Sequence, residues 1–488
     1  MFKRVLVTAA SLLALSQTVA AAEIDYHVTS SADSGPNTLR QAILDSNALG
    51  SDYPHIYIDL PYNEPILLQS SLPTFTSSIV MIEGTQSSRA RIDGVGSSQI
   101  LHFGSAAQLV SVKHLDLERG GGGSSGSCMY LGAHTGYFGI DDTVFRYCIS
   151  SSGGGALFAN GDTTVKNATF YRNSVVGTGI VEGGAIKLYG SGTSLDVQYS
   201  RFVGNTVETS TTSNYQPAEG GAIYVEQGDL SVSDTGFSLN EATSLNMPGN
   251  TDGGAVVVKS GSLEMRRNAV HENTAADGGA VYFSTTAPDS NRLTLVNNTL
   301  VGNVASQGWG GAIHDTGNVI ARNNSFFANA ASISGDNIHG SSYPGSPDPV
   351  FVSAYNNLFV AGVGNGDSCT GMATATDSGY NILPQIACGL GFGSGTQIRT
   401  GLHLIGYDVE DYLLKPLRFT VDSPALDSGN PVAPNDDDPT ACPLLDGQSQ
   451  SRSADGNADT NARCDIGAYE WQHEAPLFMD DFEARLRP

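Results

Sequence analysis

One block recurs six times in this chain of 488 residues and limits its fold more than any other feature: a glycine pair, an alanine and an aliphatic residue. The copies are Gly154 to Leu157, Gly183 to Ile186, Gly220 to Ile223, Gly253 to Val256, Gly278 to Val281 and Gly310 to Ile313. Each is closed 19 to 25 positions later by an asparagine that ends a second block, at Asn173, Asn205, Asn240, Asn273, Asn303 and Asn329. Between the blocks lie short alternating stretches, such as Leu230 to Ser233 and Leu293 to Val296, with the two-residue period of strands. A unit of a few short strands cannot bury its own apolar side chains, so the copies must stack, and strands of successive coils then pair in parallel. Parallel crossovers are right-handed almost without exception. The expected fold is all-β, a right-handed parallel β-helix.

Within it, Ala156, Ile186, Ile223, Val256, Val281 and Ile313 are expected at equivalent inward sites, and Phe170, Phe202, Phe237 and Phe326 in one aromatic column. The closing asparagines are expected to take left-handed backbone angles and to bond their neighbours. The open end of such a solenoid exposes core and strand edges. Thr38 to Asn47 suits a capping helix: Thr38 and Gln41 have capping-box spacing, and Leu39, Ala42, Ile43 and Ser46 share one face.

The N-terminus carries the marks of an export signal. Lys3 and Arg4 precede an apolar stretch from Val5 to Leu15, and a cut is expected after Ala22. No later run is apolar and long enough to cross a membrane as a helix. The six cysteines fall into three local couples, Cys128 with Cys148, Cys369 with Cys388 and Cys442 with Cys464, and disulfides are expected. With 24 basic against 49 acidic side chains the formal charge is −25, which repels phosphate and argues against nucleic acid as a partner.

Three stretches resemble known families. The paired glycine and Phe-x-x-Asn blocks, over residues 153–330, resemble the repeats of polymorphic outer-membrane proteins, which implies a β-helix at the cell envelope and a role in adhesion. Asn37 to Asn47 is similar to the CSLREA motif of secreted bacterial β-helix proteins, with Asn37 in place of the cysteine. Asp422 to Asn430 and Cys464 to Glu470, with Asp446, Gly447 and Arg452 between them, resemble the choice-of-anchor Q domain of exported bacterial proteins. These resemblances imply the surface of a Gram-negative cell and no particular chemistry. The expected organisation is a signal peptide at 1–22, the capped β-helix at 23–410, the anchor-like region at 411–471 and a tail at 472–488.

Two columns could carry chemistry. The residue before the glycine pair is Glu182, Glu219, Asp252 and Asp277 in four successive repeats. Stacked about 5 Å apart, such carboxylates repel by roughly 1 kcal/mol even in bulk-water dielectric. A hard divalent cation such as calcium would relieve this. The alternative is that each acid bonds the glycine N–H groups of its own turn. Outward on the adjoining strand stand Phe158, Lys187, Tyr224, Val257, Tyr282 and His314, with Tyr189, Glu226 and Lys259 one pleat later. Rings and charges on a flat face suit stacking on sugars, although aromatic ladders also stabilise exposed sheet.

Asp141-Asp142, His339-Gly340 and Arg91 with Asp93 match fragments of β-helix hydrolase or lyase sites but lack partners, and no nucleophile triad can be assembled. Asp455 to Asn461 alternates oxygen ligands yet lacks the glycine and glutamate of a calcium loop. The expectation is a monomeric, exported scaffold that binds polysaccharide or another cell-surface ligand. The alternatives are a polysaccharide lyase or glycoside hydrolase on the same fold, and a purely structural surface component. Acids clustered with a lysine along one groove would favour the enzyme, and a smooth aromatic face would favour binding.

Overall fold

The computed structural model describes residues 21–50, 52–85, 89–132, 136–212, 217–285, 287, 291–342, 351–364, 367–373, 377–385, 390, 393–399, 402, 404–406, 418–420, 422–456 and 462–472. Residues 1–20 of the expected export signal, the tail from 473 and residues 457–461 lie outside them. The chain is a right-handed parallel β-helix. The coil that begins at Thr193 shows the plan. A first-face strand, Thr193–Gln198, is followed by a second-face strand, Arg201–Val203, and a third-face strand, Thr206–Thr209. A loop then leads to a two-residue strand, Ala218–Glu219, and to the fourth-face strand Ile223–Val225. Each strand pairs in parallel with its equivalents in the coils before and after, giving sheets of 13, 13, 7, 3 and 10 strands.

Coils continue past the six blocks in both directions. The fourth face runs in register from Leu101 and Met129 through Leu157, Ile186, Ile223, Val256, Val281 and Ile313 to Ile338 and Cys369. Leu157, not Ala156, therefore stands level with Ile186, each being the aliphatic residue that ends its Gly-Gly-Ala block. Ala156 instead accepts and donates in the layer of Ala185 and Ala222, and is equally buried. Both glycines are needed. The first takes a left-handed φ, +64° at Gly183 and +70° at Gly220, and a Cβ on the second would collide with the carbonyl of the next coil's second glycine.

The left-handed residue near each asparagine is its predecessor: Arg172, Gly204, Leu239, Glu272, Gly302 and Ala328, with φ between 50° and 64°. The asparagines keep ordinary angles, and their amides do the bonding. Asn205 donates its backbone and side-chain N–H groups to Asn240 Oδ1, both at 3.0 Å, and its Nδ2 also reaches Phe170 O at 3.0 Å. The same pattern climbs from Asn173 to Asn329. A second ladder, formed outside the repeated blocks, joins Asn268, Asn298, Asn324, Asn357 and Asn381 at the turn from first to second face. Each buried amide bonds its neighbours in adjoining coils, with Asn273 and Asn324 also donating to His271 O and Arg322 O of their own coil, so the ladders enforce register.

Inside the ladders lies one continuous apolar core. Phe145, Phe170, Phe202 and Phe237 stack at 4.7–4.9 Å, and Phe326 stacks on Phe359 at 4.8 Å. Val270 and Leu300 interrupt the column without breaking the register. Helix α1 (Leu39–Ser46) closes the N-terminal end as expected, with Thr38 accepting from Gln41 N at 3.3 Å and Leu39, Ala42, Ile43 and Ser46 buried. No described helix is long and apolar enough to cross a membrane.

The C-terminal residues lie along the corner between first and second faces of the later coils. There the left-handed positions are Asn297, Asn323 and Asn356, whose side chains are free to reach outward. Asn297 Nδ2 donates to Leu445 O at 2.7 Å, Asn323 Nδ2 to Asp465 O at 3.1 Å, and Asn356 Oδ1 accepts from Asn430 N at 2.8 Å. Arg452, fully buried, donates to Gly467 O, Asn297 Oδ1 and Glu470 Oε2. The anchor-like blocks thus make the polar seam that holds this segment down. Cys128–Cys148 and Cys442–Cys464 are disulfides. Cys369 is also disulfide-bonded, and its expected partner Cys388 lies outside the described residues.

Candidate functional site: an acidic and aromatic face beside the glycine pairs

The pre-glycine acids come together as the spacing predicts. Glu182, Glu219 and Asp252 pair coil to coil, and Asp252 bridges to Asp277. Neither a glycine turn nor a convergent cation site explains how their charge is carried. The glycine amides are occupied by carbonyls of the next coil, Gly183 N by Glu219 O at 2.9 Å and Gly220 N by Asp252 O at 3.0 Å. Lysines answer the carboxylates instead. Lys187 contacts Glu182 and lies 4.0 Å from Glu226, while Lys259 sits 2.5 Å from Glu219 and 3.0 Å from Asp252. Trp309 N donates to Asp277 Oδ1 at 2.8 Å. Among the described residues, the one group of three ligand side chains that converge for a metal is Glu23, Asp25 and His55, at the N-terminal end of the solenoid.

Burial shapes the charge states. Glu219 is pushed up to about 7 by desolvation, with Lys259 opposing and Asp252 adding to the rise. Asp277 is raised to about 6, mainly by desolvation. Burial pulls Lys259 down, but the charges of Asp252 and Glu219 more than offset it and leave the ammonium above its ordinary value.

The outward column is also in register: Phe158, Lys187, Tyr224, Val257, Tyr282 and His314, extended by His102 and Tyr130 below and His339 above. It is not the uniformly exposed platform expected. Tyr224 is 4% exposed and His314 7%, and Val257 is fully buried, because the acid row and its lysines stand over them. Lys187 lies 5.6 Å over the Tyr224 ring, and Lys259 4.4 Å over that of Tyr282. Rings remain open on either side of this middle section. Tyr130 and Phe158 stack at 4.9 Å, Tyr189 is 44% exposed beside Phe158, and Trp309, 37% exposed, stacks on His339 at 5.8 Å.

Other expected fragments are absorbed by turns. Asp142 takes Arg89 Nε at 3.1 Å and His114 Nδ1 at 2.8 Å, and buried Asp93 accepts from Val95 N at 2.8 Å and Arg119 Nε at 3.0 Å. Arg91 Nε donates to Glu118 at 2.8 Å. Two groups were missed. Trp309 stands in place of an acid before the sixth glycine pair, and Ser341 lies 2.9 Å from His314 Nε2. The usable signal was the outward column itself: carried one coil further it reaches His339, and one pleat beyond that Ser341. Comparison with protein-family models, with curated proteins and with solved structures found no match.

Proposed function

We propose that this protein is an exported β-helix scaffold that binds polysaccharide along the groove beside its glycine pairs, at or near the surface of a Gram-negative cell. The observation that carries the reading is the register of the outward column. Rings recur at the strand spacing in two runs, His102, Tyr130 and Phe158 below and Tyr282, His314 and His339 above, with Lys187, Tyr224 and Val257 between them and the carboxylates and lysines that can hydrogen-bond hydroxyls alongside. The export signal, the local disulfide couples and the likeness to outer-membrane repeats and choice-of-anchor Q blocks support the location. A monomer suffices, since one chain supplies the whole groove.

Burial of Tyr224 selects the residues to test. Replacing Tyr189 and Tyr282 together with alanine is expected to weaken binding on a glycan array by at least about tenfold while the β-sheet circular dichroism stays unchanged. Undiminished binding to every hit would remove the groove from the function.

A second reading, a glycoside hydrolase, has one observation of its own. Desolvation raises Glu219 to about 7 next to the paired residue Asp252, and a raised carboxyl of this kind is what acid-assisted cleavage of a glycosidic bond requires. A lyase is less suited to these residues, because a lysine base needs a lowered pKa and Lys259 is raised. Reducing-end release from bound glycans, lost in Glu219→Gln, would establish the hydrolase, and intact glycans would leave the groove a binding site.

A further inference from the structure

At the upper end of the groove three consecutive coils place Asp277, His314 and Ser341 in line. His314 Nε2 and Ser341 Oγ are 2.9 Å apart, and His314 Nδ1 faces Asp277 Oδ1 at 3.9 Å. Nδ1 is buried and makes no hydrogen bond, so it is an orphan aimed at a carboxylate. The tautomer that resolves this puts the proton on Nδ1, toward Asp277, and leaves the Nε2 lone pair to accept the Ser341 hydroxyl proton. Asp277 is itself held by the Trp309 amide at 2.8 Å. Ser341 is half-buried and follows by two residues His339, whose ring stacks on Trp309.

We propose that Ser341 is a nucleophile, His314 its general base and Asp277 the positioning acid of an acyl-ester hydrolase built on the solenoid. The natural substrate class, O-acylated polysaccharide, rests on the groove reading above, whereas the nucleophile does not. Ser341 Oγ bonds to the ester carbonyl carbon as its proton passes to His314 Nε2. Collapse of the adduct breaks the bond to the sugar oxygen, which leaves with that proton. Water then attacks the acyl-serine by the same route, releasing the carboxylic acid and restoring the hydroxyl. The 3.9 Å gap to Asp277 must close by about 1 Å when charge develops on the imidazole, a tightening usual between free enzyme and complex.

The base is ready at neutral pH. Desolvation, helped by His339 and opposed by Asp252, lowers His314 to about 4, so the ring is uncharged and able to accept a proton. The groups around it are Asp277, Asp252, Lys259, His339, Tyr282 and Trp309.

The test uses the full-length mature protein with a fluorophosphonate probe, p-nitrophenyl acetate and an O-acetylated polysaccharide. One equivalent of probe is expected on Ser341 by peptide mass spectrometry, with none in Ser341→Ala, whose melting should match the wild type because Ser341 lies at the rim. His314→Gln should slow labelling by about a hundredfold or more. Asp277→Asn should slow it by at least about tenfold and move the low-pH limb of the rate profile, which a merely structural role would leave in place. No labelling, or equal ester hydrolysis by wild type and Ser341→Ala, overturns the proposal. Labelling and p-nitrophenyl acetate turnover that depend on Ser341, without glycan binding or acetate release from the polysaccharide, would uphold the nucleophile and reject the groove reading.

Discussion

Two edges of the same coils behave in opposite ways. At the corner after the second face, asparagine stands in six successive coils from Asn173 to Asn329, and every side-chain amide is answered by the next. At the groove the acid before the glycine pair also recurs, but what answers it changes from coil to coil: Lys187 for Glu182, Lys259 for Glu219 and Asp252, the Trp309 amide for Asp277. Stacking alone makes the same demand of every coil, and the corner meets it with one residue type. A face whose backbone repeats exactly as the corner's does, while its partners vary, is answering something besides stacking. That contrast is why the groove, and not the ladder, is read as functional.

The sharpest way to break the contrast is to cut the ladder. Asn240→Ala removes the acceptor for Asn205 N and Nδ2 and the donor to Phe202 O and Asn273 Oδ1, all in a buried setting. A loss of about 3–5 kcal/mol is expected from urea unfolding, since orphaned buried groups cost about 1–3 kcal/mol each. Tyr189→Ala, on the groove rim, should change stability by no more than about 0.5 kcal/mol. Equal losses would mean that groove and ladder are both architecture.

The aromatic column sharpens the same point with a smaller step. Phe202→Ala should cost about 3–5 kcal/mol, yet Phe202→Leu no more than about 1.5 kcal/mol, because Val270 and Leu300 already show that the column accepts aliphatic residues at equivalent places. Urea midpoints of both variants check this, and a large loss for leucine would show that ring stacking, not volume, holds the coils.

How far the sequence could be read follows from the same contrast. The glycine pairs, the phenylalanines and the cap residues Leu39, Ala42 and Ile43 were legible because each repeats or has a fixed period, and period is what single sequences display. The alignment slipped at Ala156 because the first block carries three glycines, Gly153 to Gly155, and its register is ambiguous without coordinates. The second ladder was visible as the doublets Asn297-Asn298, Asn323-Asn324 and Asn356-Asn357 but lies outside the blocks that fixed attention. In the groove the acids were legible and their partners were not. Lys259 stands seven residues after Asp252 in its own coil and reaches back to Glu219 in the previous one, a contact set by side-chain length rather than spacing. Ser341 was hidden because the seventh coil has lost its second glycine, with Asp336 after Gly335, so the repeated block is absent there although the strand pairing continues.

The groove's charge balance predicts a pH effect that the corner cannot show. Glu219 titrates near 7 in the fold against an ordinary 4.5, so the native state holds its proton more firmly than the unfolded chain. Stability contributed by this group is therefore full below about 4.5 and is lost as pH rises toward 7, by up to about 3 kcal/mol. Asp277, near 6 against 3.8, adds in the same direction at lower pH. Urea midpoints at pH 5, 6, 7 and 8 should fall for the wild type, flatten in Glu219→Gln and steepen in Lys259→Met. Parallel curves for all three would show that Glu219 is not the titrating group.

The smallest effect expected is the one that separates lysine from metal as the neutraliser of the acid row. Four stacked carboxylates invite calcium only while their repulsion is unrelieved, and Lys259 already lies within 3.0 Å of two of them while Lys187 holds a third. A cation that binds the native state alone raises stability by RT ln(1 + [L]/Kd), about 2.7 kcal/mol at a hundredfold excess over Kd. With the row charge-balanced, millimolar calcium should move the melting temperature no further than sodium chloride at matched ionic strength, which accounts for screening. Lys259→Met is the sensitised background. Removing the ammonium leaves Glu219 and Asp252 facing each other, and calcium should then raise the melting temperature above the sodium control. The further exchange Asp252→Asn with Glu219→Gln should abolish that rise. A calcium shift in the wild type that the double exchange removes would put a cation in the row beside the lysines, and the groove would have two neutralisers where the geometry shows one.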